Sequence, residues 1–153
     1  MSLVKSISEI KPIEEKEQIR KMIVDLYDAL SAKDVRKMMA YYADDVVVYD
    51  VKPPFQTKGA VIWRHTWEAC MPYFPDQFSV AIKDLYIHVS SDIAIAHWMF
   101  RLVGPEKEHD AMQTWMRATT GYKKIKGKWK IVHEHGSLPF DPHTTKAIFS
   151  LNV

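Results

Sequence analysis

The spacing of hydrophobic positions changes along the chain from helical to alternating. Ile19, Met22, Ile23, Leu26, Ala29 and Leu30 recur at helical spacing with charges opposite, which predicts an amphipathic helix. Its length is about five turns by helix geometry. Asp34 is placed to cap a second, short helix carrying Val35, Met38, Met39 and Tyr42. Asp44-Asp45 ends it. Val46 to Tyr49 is β-branched and aromatic, which predicts a buried strand ending at Asp50. Lys52-Pro53-Pro54 forces a loop, and a third helix is expected from about Gly59 to Met71, stopped before Pro72.

Alternation then takes over. Phe78, Val80 and Ile82 have one parity, and Leu85, Ile87 and Val89 have the other. The slip at Lys83-Asp84 predicts a bulge that curves the sheet. Ser90-Ser91-Asp92 turns the chain into a strand over 93–103, ended by Gly104-Pro105 and the charged loop Glu106 to Asp110. Residues 111–138 read as two long strands joined at Ile125-Lys126-Gly127, a three-residue loop ending in a glycine bulge. That loop sets Lys124 opposite Lys128, Thr120 opposite Val132, Ala118 opposite Glu134 and Arg117 opposite His135. A two-residue turn would shift the pairing by one. On the three-residue count, Arg117, Thr119, Trp129, Ile131, His133 and His135 share one face. Ala118, Thr120, Tyr122, Val132 and Glu134 share the other. Helices come first and strands last, so the fold class is α+β: a curved antiparallel sheet wrapped as a cone around N-terminal helices, with a pocket inside. The expected divisions are a lead-in at 1–12, one domain at 13–140 and a tail at 141–153.

Composition narrows the function classes. The 153 residues are 47% hydrophobic and 26% charged, as in a globular domain. A net charge of +2 gives no argument for nucleic acid or a membrane surface. Lysines 123, 124, 126, 128 and 130 therefore read as a solvated hairpin tip. A single cysteine, Cys70, excludes an internal disulfide. No apolar run reaches membrane length and the N-terminus lacks a signal-peptide core, so a cytoplasmic protein is expected.

Two stretches, LYDALSAKDVRKMMAYYADDVVVYD (26–50) and GKWKIVHEHGSLPFDP (127–142), carry a family resemblance. The chain resembles the nuclear transport factor 2-like superfamily. That group includes ketosteroid isomerase, SnoaL-like cyclases, scytalone dehydratase, limonene epoxide hydrolase and the association domain of calmodulin-dependent kinase. The resemblance implies that Asp50 stands where the isomerase has its general base. The isomerase tyrosine falls on Leu26, one residue from Tyr27, and its second oxyanion donor falls near Thr119 or Thr120. Against the kinase domain, Asp50 falls on a pocket glutamate and Trp63 on a pocket histidine. Met99 and Thr120 stand in place of its pocket arginines.

The candidate chemistry follows. Asp50 reads as a general base at a strand end, or as the start of the turn before Pro53. Glu134 reads as its partner carboxylate, or as a solvent-facing glutamate between two histidines. His97 reads as a pocket proton carrier or a satisfied core histidine, and Tyr27 as an oxyanion donor. Trp63 and Trp67, four apart on one helix, would wall the pocket with Met99, Thr120 and Tyr122. His133 and His135 could begin a metal site, but Arg117 beside them favours a polar ladder at a subunit interface. The expectation is a cofactor- and metal-independent isomerase, cyclase, dehydratase or hydrolase acting on a small apolar carbonyl compound, as a homodimer. The alternative is a non-catalytic ligand-binding or oligomerisation domain.

Overall fold

A computed structural model describes residues 7–148. Helix α1 spans Ile7–Ser31 and α2 spans Val35–Met39; strand β1 spans Tyr42–Tyr49 and β2 Thr57–Lys58. Helix α3 spans Ala60–Cys70 and leads into a single 3-10 turn at Met71–Tyr73. Strands β3 (Ser79–Ser90) and β4 (Ile93–Val103) precede a short helix α4 (Asp110–Gln113), then β5 (Met116–Ile125) and β6 (Lys128–Ser137). The strands form one open six-stranded sheet in the order β2-β1-β6-β5-β4-β3. Every pairing is antiparallel except β1 with β6, which is parallel. The fold is α+β, but the sheet is mixed, because the last strand returns beside the first one and runs the same way.

Local chemistry explains most boundaries. Ile19, Ile23, Ala29 and Leu30 are buried along α1, as their period requires. The helix is already formed at Ile7, ahead of Pro12, which corrects the expected loose lead-in over 7–12; residues 1–6 of that stretch lie outside the described residues. Proline lacks only one donor there, and Glu15 then fastens the first part of the helix to the far hairpin. The buried Glu15 carboxylate accepts bonds from Trp129 Nε1 and Lys124 Nζ. The Lys124 bond leads in pulling its pKa below the usual range. Asp34 caps α2 by accepting from Lys37 N–H at 2.9 Å. Gly59, at φ +90°, opens α3 in a conformation that a side chain would strain.

The bulge at Lys83-Asp84 is present: pairing with β4 breaks between Lys83 and Tyr86, and Asp84 takes φ +53°. The last hairpin departs from expectation. Residues 110–113 are helical, so β5 begins at Met116. Its turn has two residues, Lys126 and Gly127, both at positive φ, which matches the twist of the flanking strands. Ile125 therefore faces Lys128 and Lys124 faces Trp129. A second irregularity follows at Val132: Tyr122 pairs with Ile131, but Gly121 pairs with His133. Thr120 consequently faces Glu134, not Val132, and Arg117 faces Ser137, not His135. The extra residue reverses side-chain parity within β6. Trp129 and Ile131 join the core on the same side as Tyr122, and Glu134 follows them inward.

Candidate functional site

The concave side of the sheet, α1, α2 and α3 enclose a cavity of about 690 Å³. Leu26, Leu30, Met38, Phe100 and Met116 give it apolar walls. A few polar groups interrupt them, the usual composition of a small-molecule site. Helix α1 contributes Tyr27, β1 contributes Tyr42 and Asp50 follows its end, α3 contributes Trp63 and Trp67, β5 Thr120 and β6 Glu134.

Glu134 is the chemically unusual group. Burial in this apolar cavity pushes its carboxyl up to about 7, against a hydrogen bond from Tyr42 that favours the charged form; the negative charge of Asp50 adds to the rise. Tyr42 Oη donates that bond at 2.8 Å. Asp50 sits nearer solvent, with its side chain 22% exposed. Burial also raises its pKa, opposed by the Val51 N–H at 2.8 Å and by Lys52, whose Nζ lies 3.9 Å away. Two carboxyls thus face one cavity in unequal environments.

Tyr27 stands with them. Trp98 Nε1 donates to its phenol oxygen at 2.8 Å, and the Trp98 ring meets it edge-on. Burial holds the Tyr27 and Tyr42 phenols well above their ordinary pKa, so both keep their protons at neutral pH. The proton of Tyr27 has no acceptor among the described residues. Trp98 satisfies the oxygen and leaves the O–H as a donor for a bound molecule.

The structure brings together Asp50, Tyr27, Trp63, Trp67, Thr120 and Glu134. It separates three others. His97 is exposed on the convex face, stacked between Tyr86 at 5.3 Å and His88 at 5.7 Å. It is one residue out of phase with the inward Ala96 and Trp98. Met99 shares its parity and lies outside the cavity for the same reason. Tyr122 points inward but is 2% exposed core, packed away from the cavity wall. His133 and His135 flank Tyr49, with ring centroids 4.8 and 5.6 Å away, and His133 Nδ1 lies 2.8 Å from Val47 O.

Sequence reasoning missed Tyr42 and Trp98. The helical spacing puts Tyr42 on the apolar side of α2, yet it opens β1 with its ring in the cavity wall. The signal available was a second phenol, next to Tyr41, on a side expected to be buried, where its O–H needs a partner. Trp98 gave the same kind of signal: a buried indole N–H needs an acceptor.

The family model described as a SnoaL-like domain matches residues 19–141. The chain belongs to the SnoaL-like family. Among solved structures, this SnoaL-like protein is similar to a nuclear transport factor 2-like protein of unknown function from Pseudomonas putida KT2440. The identity is 35% over 92% of this chain and 98% of the other, with a TM-score of 0.85. It also resembles a candidate ketosteroid isomerase from Shewanella frigidimarina, at 21% identity over 76% of this chain and 92% of that one, TM-score 0.63. A candidate calcium/calmodulin-dependent kinase type II association domain from Thiobacillus denitrificans matches at 21% over 76% and 90%, TM-score 0.63. At that identity the last two likenesses establish the fold alone. No curated protein matches the sequence significantly. No helix among the described residues is long and apolar enough to cross a membrane.

Proposed function

We propose that this protein is an acid–base enzyme acting on a small, largely apolar carbonyl compound held in the cavity. The observation that carries the reading is the unequal pair of cavity carboxyls. Asp50, nearer solvent and beside Lys52, takes a proton from the carbon next to the carbonyl. Tyr27 donates its O–H to the developing oxyanion, and Trp98 keeps that phenol in place. Glu134, whose carboxyl burial pushes up to about 7, supplies the proton that completes the reaction. Trp63 and Trp67 hold the apolar body. Isomerisation, cyclisation and dehydration share this first step, and the chemistry asks for no cofactor.

The test is proton exchange, which does not depend on the net reaction. Enolisable ketones that bind the protein are incubated in heavy water, and loss of the α C–H signal is followed by NMR. Exchange catalysed by the wild type and abolished in Asp50→Asn supports the reading. Ketones that bind without exchange favour the second reading, a ligand-binding or oligomerisation domain. The contact between Asp50 and Lys52 is what speaks for that alternative.

The assembly we infer is a cytoplasmic homodimer. Its support is the convex face, where Tyr86, Ile93 and Ile95 are 56%, 52% and 45% exposed beside the histidine rings. Trp129 and Ile131, expected on that face, belong to the core and add nothing to it.

A further inference from the structure

The convex face also holds a group of cations without counterions. In one row across the sheet, Lys83 pairs with Met99 and Met99 with Arg117. Cross-strand neighbours lie about 5 Å apart at Cβ, so the two cations flank one methionine. Arg101, two residues along β4, projects from the same side. Its guanidinium carbon lies 5.0 Å from the centre of the Trp115 ring, and Lys83 Nζ lies 5.7 Å from the same centre. Two positive charges thus share one indole.

Some cations elsewhere in the chain are paired with carboxylates, though many exposed lysines are not. Lys21 pairs with Asp25, Arg64 with Glu68, and Lys124 with Glu15. Among the described residues, Lys83, Arg101 and Arg117 form no ion pair. Arg117 Nε reaches only Ser137 Oγ, at 3.1 Å. Arg101 Nε is buried and has no hydrogen-bond partner. Attraction to the ring offsets part of the repulsion but leaves that N–H unmatched.

We propose that Lys83, Arg101 and Arg117, backed by Trp115, form a binding site for a small oxyanion, a carboxylate or a phosphate. A guanidinium fork suits such a group because it offers two parallel N–H donors, and a lysine adds a point charge beside it. The site is separate from the cavity: the inward neighbours on these strands, Phe100, Met116 and Ala118, line the cavity, and the cations do not. It therefore stands whether or not the acid–base reading holds.

The experiment is thermal denaturation of the whole chain at pH 7 in inorganic phosphate, sodium acetate or sodium chloride at matched ionic strength. The expected result is a saturable rise in Tm beyond that in chloride, roughly 5 °C or more at a hundredfold excess over Kd. A response to phosphate alone assigns a phosphoryl ligand, and a response to acetate as well assigns a carboxylate. The rise should vanish in a Lys83→Gln/Arg117→Gln variant, whose changed side chains lie outside the core, and in Arg101→Gln. Equal rises in all three salts, or an undiminished rise in the variants, would overturn the site.

Discussion

Tyr42 donates its phenolic proton to Glu134 at 2.8 Å, the one direct hydrogen bond to the cavity acid among the described residues. The bond favours the ionised carboxylate and so partly offsets burial. Tyr42→Phe should move the Glu134 pKa further above about 7. A carbon-13 NMR titration of the glutamate carboxyls would show it, and a downward shift would contradict the assignment.

Glu134 also leaves a mark on stability. Its pKa is higher in the folded state, about 7, than its ordinary value of 4.5. The folded chain therefore holds this proton more tightly than the unfolded chain. The favourable contribution is full below pH 4.5 and is lost as pH rises past 7. Glu134→Gln removes the effect. Urea denaturation of wild type and variant at pH 5 and pH 8 should show the wild type losing relative stability, by up to about 3 kcal/mol.

Asp50→Asn keeps the shape of the side chain and removes the base. Deuterium exchange of a bound ketone should fall by about two to four powers of ten. Affinity for an unreactive analogue, measured by calorimetry, should stay within a few-fold of wild type. The same assay on wild type should give a bell-shaped pH profile whose alkaline limb follows Glu134.

Trp63 is both wall and core. It is 3% exposed, and its ring meets Trp67 at 5.4 Å. Trp63→Ala should cost about 3–5 kcal/mol in chemical denaturation, as for other buried aromatics. Trp67→Ala, only partly buried, should cost less and weaken ligand uptake more. Equal losses of stability for the two variants would argue against that division.

Light scattering at micromolar concentration checks the homodimer. A dimer mass is expected, and charge placed on the convex face by Ile95→Glu should return it to monomer. A monomeric wild type would rule out this use of the face.

The elements that bury a regular stripe were legible in the sequence. Ile19 to Leu30 specified α1, and the parity change at Lys83-Asp84 specified a bulge, because one wrong-period residue disrupts an entire face. Asp50, Tyr27, Trp63 and Thr120 were placed in the cavity from the same patterns and the family resemblance. His97 and Met99 are not among them, because they alternate with the inward Ala96 and Trp98 and so project from the convex face. The β6 register was hidden for a different reason. Nothing in Ile131-Val132-His133 marks an extra residue, since valine suits a regular strand as well as an irregular one. The parallel pairing of β1 with β6 lies beyond local pattern altogether, because it joins segments with most of the chain between them.

The irregularity at Val132 behaves like a frameshift written in three dimensions. Before it, odd-numbered residues of β6 face inward, as Trp129 and Ile131 do; after it, even-numbered ones do, as Glu134 does. A regular strand with Val132 paired in the ladder would keep the same residues in the same order. It would nonetheless turn the acid outward and a histidine inward. Two relatives with the same residues on either side of this point can therefore present opposite cavities. A glutamate in the final strand becomes comparable between them only after the residues since the turn have been counted.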